Sequence, residues 1–394
     1  MNSLEKKLLS AVDAERIKTM TLDLTAIPSP TGRSRDAAEA YARTLSSLGL
    51  HVDVTYEFPD SPNVAARLRG AGGGPTLQLA GHLDTIPMPH DPPRFADGLL
   101  YGRGSADMKG SLAAMAETVR VLRESGLKLK GDVLLTAFGL HEAPGGHGEG
   151  LSAMVKRGVK GDAAIVCEVG SNGLPIAGKG MGIFEITVRR SGDVLHELQA
   201  AEGTQNPIFW GRRVVQRLEA RANELAKVPV PDVGPESIFV GIFQSGDFYN
   251  RVPNVARIVG TRRHAPDKTF DHVRRELNEL IAAVQAEDTS GQIKIDLAFQ
   301  PVRESFRIDP AEPIVQIVRQ AYQDLSGSVL PLIGISVVAD APILMREGHV
   351  PTVYHGPASD RAHSDLEYIA LDELVRVTRM YLLSAARFCG VEGA

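Results

Sequence analysis

Apolar residues recur at Ala38, Tyr41, Ala42, Leu45 and Leu48, a spacing of three and four that predicts a helix over 36–48, stopped by Gly49. The loop before it is Ile27-Pro28-Ser29-Pro30-Thr31-Gly32. Short apolar runs follow at 76–80, 133–138 and 163–167, with a long helical pattern over 108–122 among them. This alternation predicts an α/β sheet with helices on its faces. From 180 to 296 the pattern changes to strand-like runs separated by helices at 207–225 and 270–285, which reads as an inserted α+β domain. The α/β character then returns, with a helix over 313–325, a strand over 350–354 and a closing amphipathic helix over 371–388. The expected domains are 1–179 together with 297–394, and 180–296 as the insert.

A chain of 394 residues exceeds one ordinary core, which agrees with that division. The net charge of -5 supplies no electrostatic footprint for nucleic acid or an anionic membrane, so neither is expected as a partner. The first 18 residues mix charged and apolar positions at helical spacing and lack the uninterrupted apolar stretch of a signal peptide. No segment is apolar enough to span a bilayer. The two cysteines, Cys167 and Cys389, suggest no disulfide framework, and cytoplasmic residence is the expectation.

Open α/β sheets gather ligands at the carboxyl ends of their strands, so the residues just after the apolar runs come first. These are His82 with Asp84, His141 with Glu142, and Glu168. Neutral imidazole binds zinc, cobalt or manganese, and a neighbouring carboxylate can take the other ring proton, which suits Asp84 as an orienter. Asp107 follows the glycine-rich Gly102-Arg103-Gly104 turn at the mouth of a helix. It can cap that helix or bridge two cations, and both readings stand. A strand-end glutamate such as Glu168 is costly to bury without a partner, and a metal would be one.

Together these residues resemble the aminoacylase, glutamate carboxypeptidase and succinyl-diaminopimelate desuccinylase family of metallopeptidases. The resemblance rests on Ile27-Pro28-Ser29-Pro30, Gly81-His82-Leu83-Asp84, Gly104-Ser105-Ala106-Asp107-Met108-Lys109-Gly110, Glu142 with Gly145-Gly146, Glu168, and Gly356-Pro357 followed by Ala362-His363-Ser364. It implies a mixed-sheet, phosphorylase/hydrolase-like catalytic domain with an inserted α+β lid and dimerisation domain. It also implies a divalent metal (zinc, manganese or cobalt) on His82, Asp107, Glu168 and His363, and a homodimer or higher homo-oligomer formed through the lid. In relatives a lid histidine from the partner subunit polarises the substrate carbonyl, while an asparagine and an arginine hold a carboxylate; His196, Asn250 and Arg263 look equivalent. An arginine fork suits that last task.

One motif departs from the family pattern. Relatives carry consecutive glutamates after the third strand, the first acting as general base and the second binding the second metal. Here the string is Gly139-Leu140-His141-Glu142-Ala143-Pro144-Gly145-Gly146, with a single glutamate. If the paired glycines set the register, Glu142 is the base and Ala143 stands at the ligand position. If the strand end sets it, His141 replaces the base and Glu142 binds metal. The first register needs no gap and is preferred. It leaves one firm site of His82, Asp107 and Glu168 beside a second site, weak or absent, of Asp107 and His363, unless His141 or His147 joins.

The expected activity is hydrolysis of an amide bond in a small carboxylate-bearing substrate such as an N-acyl amino acid or small peptide, with Glu142 as base and Asp84 and His196 in support. Hydrolytic deamination of an amino-aromatic acid, as in 5-nitroanthranilate aminohydrolase, is the enzymatic alternative. Phe209, Trp210, Phe243, Phe248 and Tyr249 would then supply aromatic contacts, although packing in the lid core is their expected role. A non-catalytic binding or assembly protein on the same fold is the third reading.

Overall fold

The computed structural model describes residues 1–392. Two compact units emerge: residues 1–176, 308–333 and 339–394 form the first, and residues 177–307 with 334–338 the second.

The first unit is built on β1 (His51–Thr55), β2 (Asn63–Leu68), β3 (Leu77–His82), β4 (Val133–Phe138) and β5 (Ala163–Val166). A sixth strand arrives late in the sequence. Numbered after the four strands of the insert, β6 (Gly180–Arg190), β7 (Ser237–Ser245), β8 (Val255–His264) and β9 (Ile293–Arg303), it is β10 (Thr352–Tyr354). The spatial order is β1-β2-β4-β3-β5-β10. The pairs from β4 through β3 and β5 to β10 are parallel, whereas β1 and β2 add antiparallel pairing at one edge. Strands covered on both faces need continuous apolar sequence, and every residue of β3, β4 and β5 is buried. Gln78 is a buried polar residue in the middle of this run. Its amide donates to Thr136 Oγ1 at 2.9 Å and accepts from the Gly161 N–H at 3.0 Å, so its burial leaves no unmet demand.

Helices Gly110–Glu124 and Leu371–Cys389 pack together against this sheet, and twelve residues of the first are buried. Even Glu117 is enclosed. It accepts the Asp13 N–H at 2.8 Å and pairs with Arg120 at 2.6 Å. Among the described residues, no helix is long and apolar enough to cross a membrane.

The second unit is an antiparallel sheet in the order β7-β8-β6-β9, covered by helices Pro207–Ala226 and Phe270–Gln285. Alternation along β6 puts Phe184, Ile186 and Val188 into its core with Trp210, Val214, Val273 and Leu277. The insert runs further than the 296 boundary read from sequence: β9 stays paired with β6 as far as Arg303↔Met181, and the return falls after Arg307. Of the aromatics assigned to lid packing, only Trp210 is buried; Tyr249 is 88% exposed in the turn before Arg251. Arg262 is fully buried and pairs with Glu236 at 2.7 Å and Glu276 at 2.8 Å. Burial pushes both carboxyls upward, but their cationic partners outweigh it and hold them below the usual carboxylate range.

Candidate metal centre

β3 lies in the middle of the parallel strands, so its last residue, His82, emerges at the carboxyl edge of the sheet. Gly81 makes this edge accessible: a Cβ there would sit 2.6 Å from Met108 Cε, so the missing side chain lets the 105–109 loop lie against the strand. His82 Nδ1 donates to the backbone carbonyl of Asp84 at 2.8 Å. This places one ring proton on Nδ1 and turns Nε2 toward Asp107 Oδ1 at 3.1 Å and Glu168 Oε2 at 3.8 Å.

Asp84 orients the imidazole through its main chain, not through its carboxylate as the sequence reading supposed; the carboxylate is 3.9 Å away and otherwise engaged. It accepts the N–H groups of His141 at 3.0 Å and Glu142 at 2.9 Å, pinning the turn that leaves β4.

Asp107 is not a helix cap. Its backbone is extended (φ -135°, ψ 91°), and the helix begins three residues later at Gly110. The loop is held by Glu367, whose Oε1 accepts N–H bonds from Gly104 (3.0 Å), Ala106 (2.9 Å) and Asp107 (3.1 Å). Its Oε2 pairs with Arg103 at 2.8 Å. Asp107 is thereby free to use one oxygen toward His82 and the other toward His363 Nε2, 3.3 Å away.

His363 Nε2 also lies 2.9 Å from Glu142 Oε1. Glu142 thereby lies beside His363, and its carboxylate groups with Asp107 and His82. The physical cause is local. The Leu83 N–H bonds to Phe138 O at 2.7 Å, the Asp84 carboxylate fixes the next turn directly onto the strand, and the Gly146 N–H closes that turn on Glu142 O at 2.8 Å. His141 turns its ring flat against His82, with centroids 4.0 Å apart and 3° between planes, and places Nδ1 2.7 Å from Asp340 Oδ2.

Glu168 follows β5 where Gly356 passes so close that a Cβ would lie 2.5 Å from Glu168 Cα. Burial pushes its carboxyl up to about 7, against the pull of His141 and His82. Its Oε1 is buried without a hydrogen-bond partner among the described residues. Burial alone would lower the His82 pKa, yet Asp107 and Glu168 hold it well above its ordinary value. Hydrogen bonds to Asp107 and Glu142 raise His363 to about 10. Asp107, although buried, is held far below the usual range by the two histidines. Three carboxylates and three imidazoles competing for the same protons, with one buried oxygen unpaired, make a donor set that a divalent cation fits. Within 4.8 Å, ligand atoms group as His82, Asp107 and Glu142, and as His82, His141 and Glu168. His147 belongs to neither group.

His196, Asn250 and Arg263 lie in the second unit. The Asn250 amide is 3.1 Å from His196 Nε2, and Arg263 donates to Ser336 O at 2.8 Å. The sequence reading missed two carboxylates, Asp340 and Glu367. Asp340, one residue before Ala341-Pro342, carries only the signature of a helix cap, and nothing near Glu367 in sequence marks its contact with the Asp107 loop.

A mixed α/β sheet with oxygen and nitrogen donors gathered at its strand ends defines a metallohydrolase. The chain belongs to the peptidase family M20/M25/M40, whose family model matches residues 78–387. It is 25% identical to the N-formyl-4-amino-5-aminomethyl-2-methylpyrimidine deformylase of Bacillus subtilis, over 98% of this chain and 97% of that protein. It is 28% identical to the succinyl-diaminopimelate desuccinylase of Methylobacterium radiotolerans, over 91% and 93%. The YxeP protein of Bacillus subtilis, a dinuclear metal-binding peptidase of the M20 family, shares the fold with a TM-score of 0.72 at 15% identity, over 95% of this chain and 98% of that one.

Proposed function

We propose that the protein hydrolyses the amide bond of a small N-acyl amine or N-acyl amino acid with the help of two divalent cations, both of which Asp107 would help to hold. The observation that carries this reading is the placement of the Asp107 carboxylate, with one oxygen toward His82 and the other toward His363. His82 and Glu168 would complete one site, Glu142 and His363 the other. The named activities of relatives, a deformylase and a desuccinylase, support removal of a small acyl group from nitrogen. The dinuclear character of YxeP supports the count of two cations.

When bound, the cations supply Lewis acidity and ease the deprotonation of water. The protein's own groups do the rest. Asp84 fixes both the His82 tautomer and the 141–142 turn, so the donors need little reorganisation. His196, Asn250 and Arg263 remain the candidates for holding the substrate carbonyl and carboxylate. Exposed Phe239, Ile242 and Phe243 on the edge strand β7 support association of two copies through the insert. The buried free thiols Cys167 and Cys389 agree with a reducing compartment.

The test is a panel of N-formyl, N-acetyl and N-succinyl amino acids, dipeptides and 5-nitroanthranilate, assayed after chelation and after adding zinc, manganese or cobalt. An acid and an amine should appear from an N-acyl substrate, with activity lost on chelation and restored by metal. Full activity without metal, or release of ammonia and a phenol alone, overturns the reading.

A further inference from the structure

We propose that Asp340 is a positioning residue that holds His141 as the proton acceptor and donor of the hydrolysis. The inference rests on the dinuclear reading above. In that reading Glu142, the other candidate base, is committed beside His363, whereas His141 is assigned to neither cation and yet lies flat on the ligand His82.

Three observations converge on the pair. Asp340 Oδ2 is 2.7 Å from His141 Nδ1, and Asp340 is fully buried. A carboxylate on Nδ1 puts the ring proton there and leaves the Nε2 lone pair for a proton from water. The second observation is what Asp340 does not do. It stands at the N-cap of helix Ala341–Arg346, a position where aspartate side chains commonly bond the helix N–H groups, but it makes no such bond. The N–H of Ala341 donates instead to the Tyr354 hydroxyl at 2.9 Å. The third is proximity: a ring nitrogen of His141, one of His82 and a Glu168 oxygen all lie within 4.8 Å of one another.

The proton balance is closed. As the water oxygen bonds to the acyl carbon, its proton passes to His141 Nε2, and Asp340 stabilises the imidazolium without taking the proton itself. As the carbon–nitrogen bond breaks, Nε2 returns that proton to the departing nitrogen. The division of labour is that of an aspartate holding a histidine in its working tautomer.

The experiment compares zinc-loaded wild type with Asp340→Asn, Asp340→Ala, His141→Glu, His141→Gln and the double variant His141→Glu/Asp340→Asn. Zinc content per chain, kcat and KM on whichever N-acyl amino acid the wild type cleaves, and the protonated nitrogen of His141 by 15N NMR are measured. His141→Gln identifies the His141 resonances by their loss.

We expect the His141 proton on Nδ1 in the wild type and redistributed in Asp340→Ala. Asp340→Asn should keep its zinc and its KM and lower kcat by about 100-fold, within the range of general acid–base contributions. His141→Glu should outperform His141→Gln, and in its background the loss caused by Asp340→Asn should shrink to less than about threefold, because a glutamate needs no carboxylate behind it. Zinc lost together with kcat in Asp340→Asn overturns the proposal, since His141 is then a ligand. An unchanged Nδ1 proton in Asp340→Ala, or an equal loss in both backgrounds, also overturns it. If no N-acyl substrate is cleaved, the functional reading fails by itself, and the NMR result still decides the dyad.

Discussion

Glu142→Gln separates the two registers of the strand-end motif most sharply. In the proposed scheme Glu142 supplies one of three protein donors to the second cation, with Asp107 and His363. Two donors hold a divalent ion poorly, so that site should weaken by at least about 100-fold. With free zinc at 100 times the wild-type dissociation constant, the bound cation stabilises the fold by about 2.7 kcal/mol; a 100-fold weaker site retains about 0.4 kcal/mol. The difference corresponds to a fall in Tm of roughly 5 to 9 °C for a unit of this size. In chelated protein the sign should differ. Removing one charge from the Asp107, Glu142 and Glu168 group relieves repulsion, and the lost contact to the half-exposed His363 is worth little. Zinc titration by calorimetry should find one tight site where the wild type has two, and the fall in Tm should be seen only when zinc is present. Two tight sites retained, with turnover down by more than about 100-fold, would refute the reasoning and make Glu142 the base.

Gly356→Ala should push on the Glu168 backbone, which cannot swing aside as a side chain could; about 1–3 kcal/mol of stability and at least tenfold in affinity for the first cation should be lost, by melting and metal titration. Glu367→Gln should weaken metal binding by about 10- to 100-fold without touching a ligand, because the acceptor of three N–H groups in the Asp107 loop loses its charge. Arg262→Ala should cost about 3–5 kcal/mol near neutral pH by leaving Glu236 and Glu276 buried without it, as denaturant unfolding would register. Both glutamates titrate below their ordinary value in the folded chain, so their contribution is complete above the unfolded range near about 4.3 and is lost as pH falls through the lower folded values. The penalty of Arg262→Ala should accordingly shrink in acid.

The hydrophobic pattern located the main elements to within a few residues: the Pro207–Ala226, Phe270–Gln285 and Leu371–Cys389 helices, and the strands that end in His82, Phe138 and Val166. Period and run length are local properties, so they survive in one sequence. Register and partnership do not. The position of Glu142 depends on the Asp84 carboxylate 58 residues away, which no spacing rule contains. The contacts of Asp340 with His141 and of Glu367 with the Asp107 loop span 199 and about 260 residues, and each carboxylate looks locally like an ordinary turn residue. The boundary at 296 failed for a related cause: Pro301 interrupts the apolar pattern, yet β9 continues past it through an irregularity in register to Arg303.

The strand order has a consequence for synthesis on the ribosome. Five adjacent strands of the first sheet are encoded before residue 167, and only β10 is added after the insert. In the proposed scheme the trio of His82, Asp107 and Glu168 is likewise complete in the emerging chain well before His363, which follows 195 residues after Glu168. At about 5–20 residues per second that gap lasts roughly 10–40 s. A growing chain would therefore hold the donors for one cation while the other still lacks its histidine. Hydrolytic competence would come only once the insert has been made and His363 has followed it.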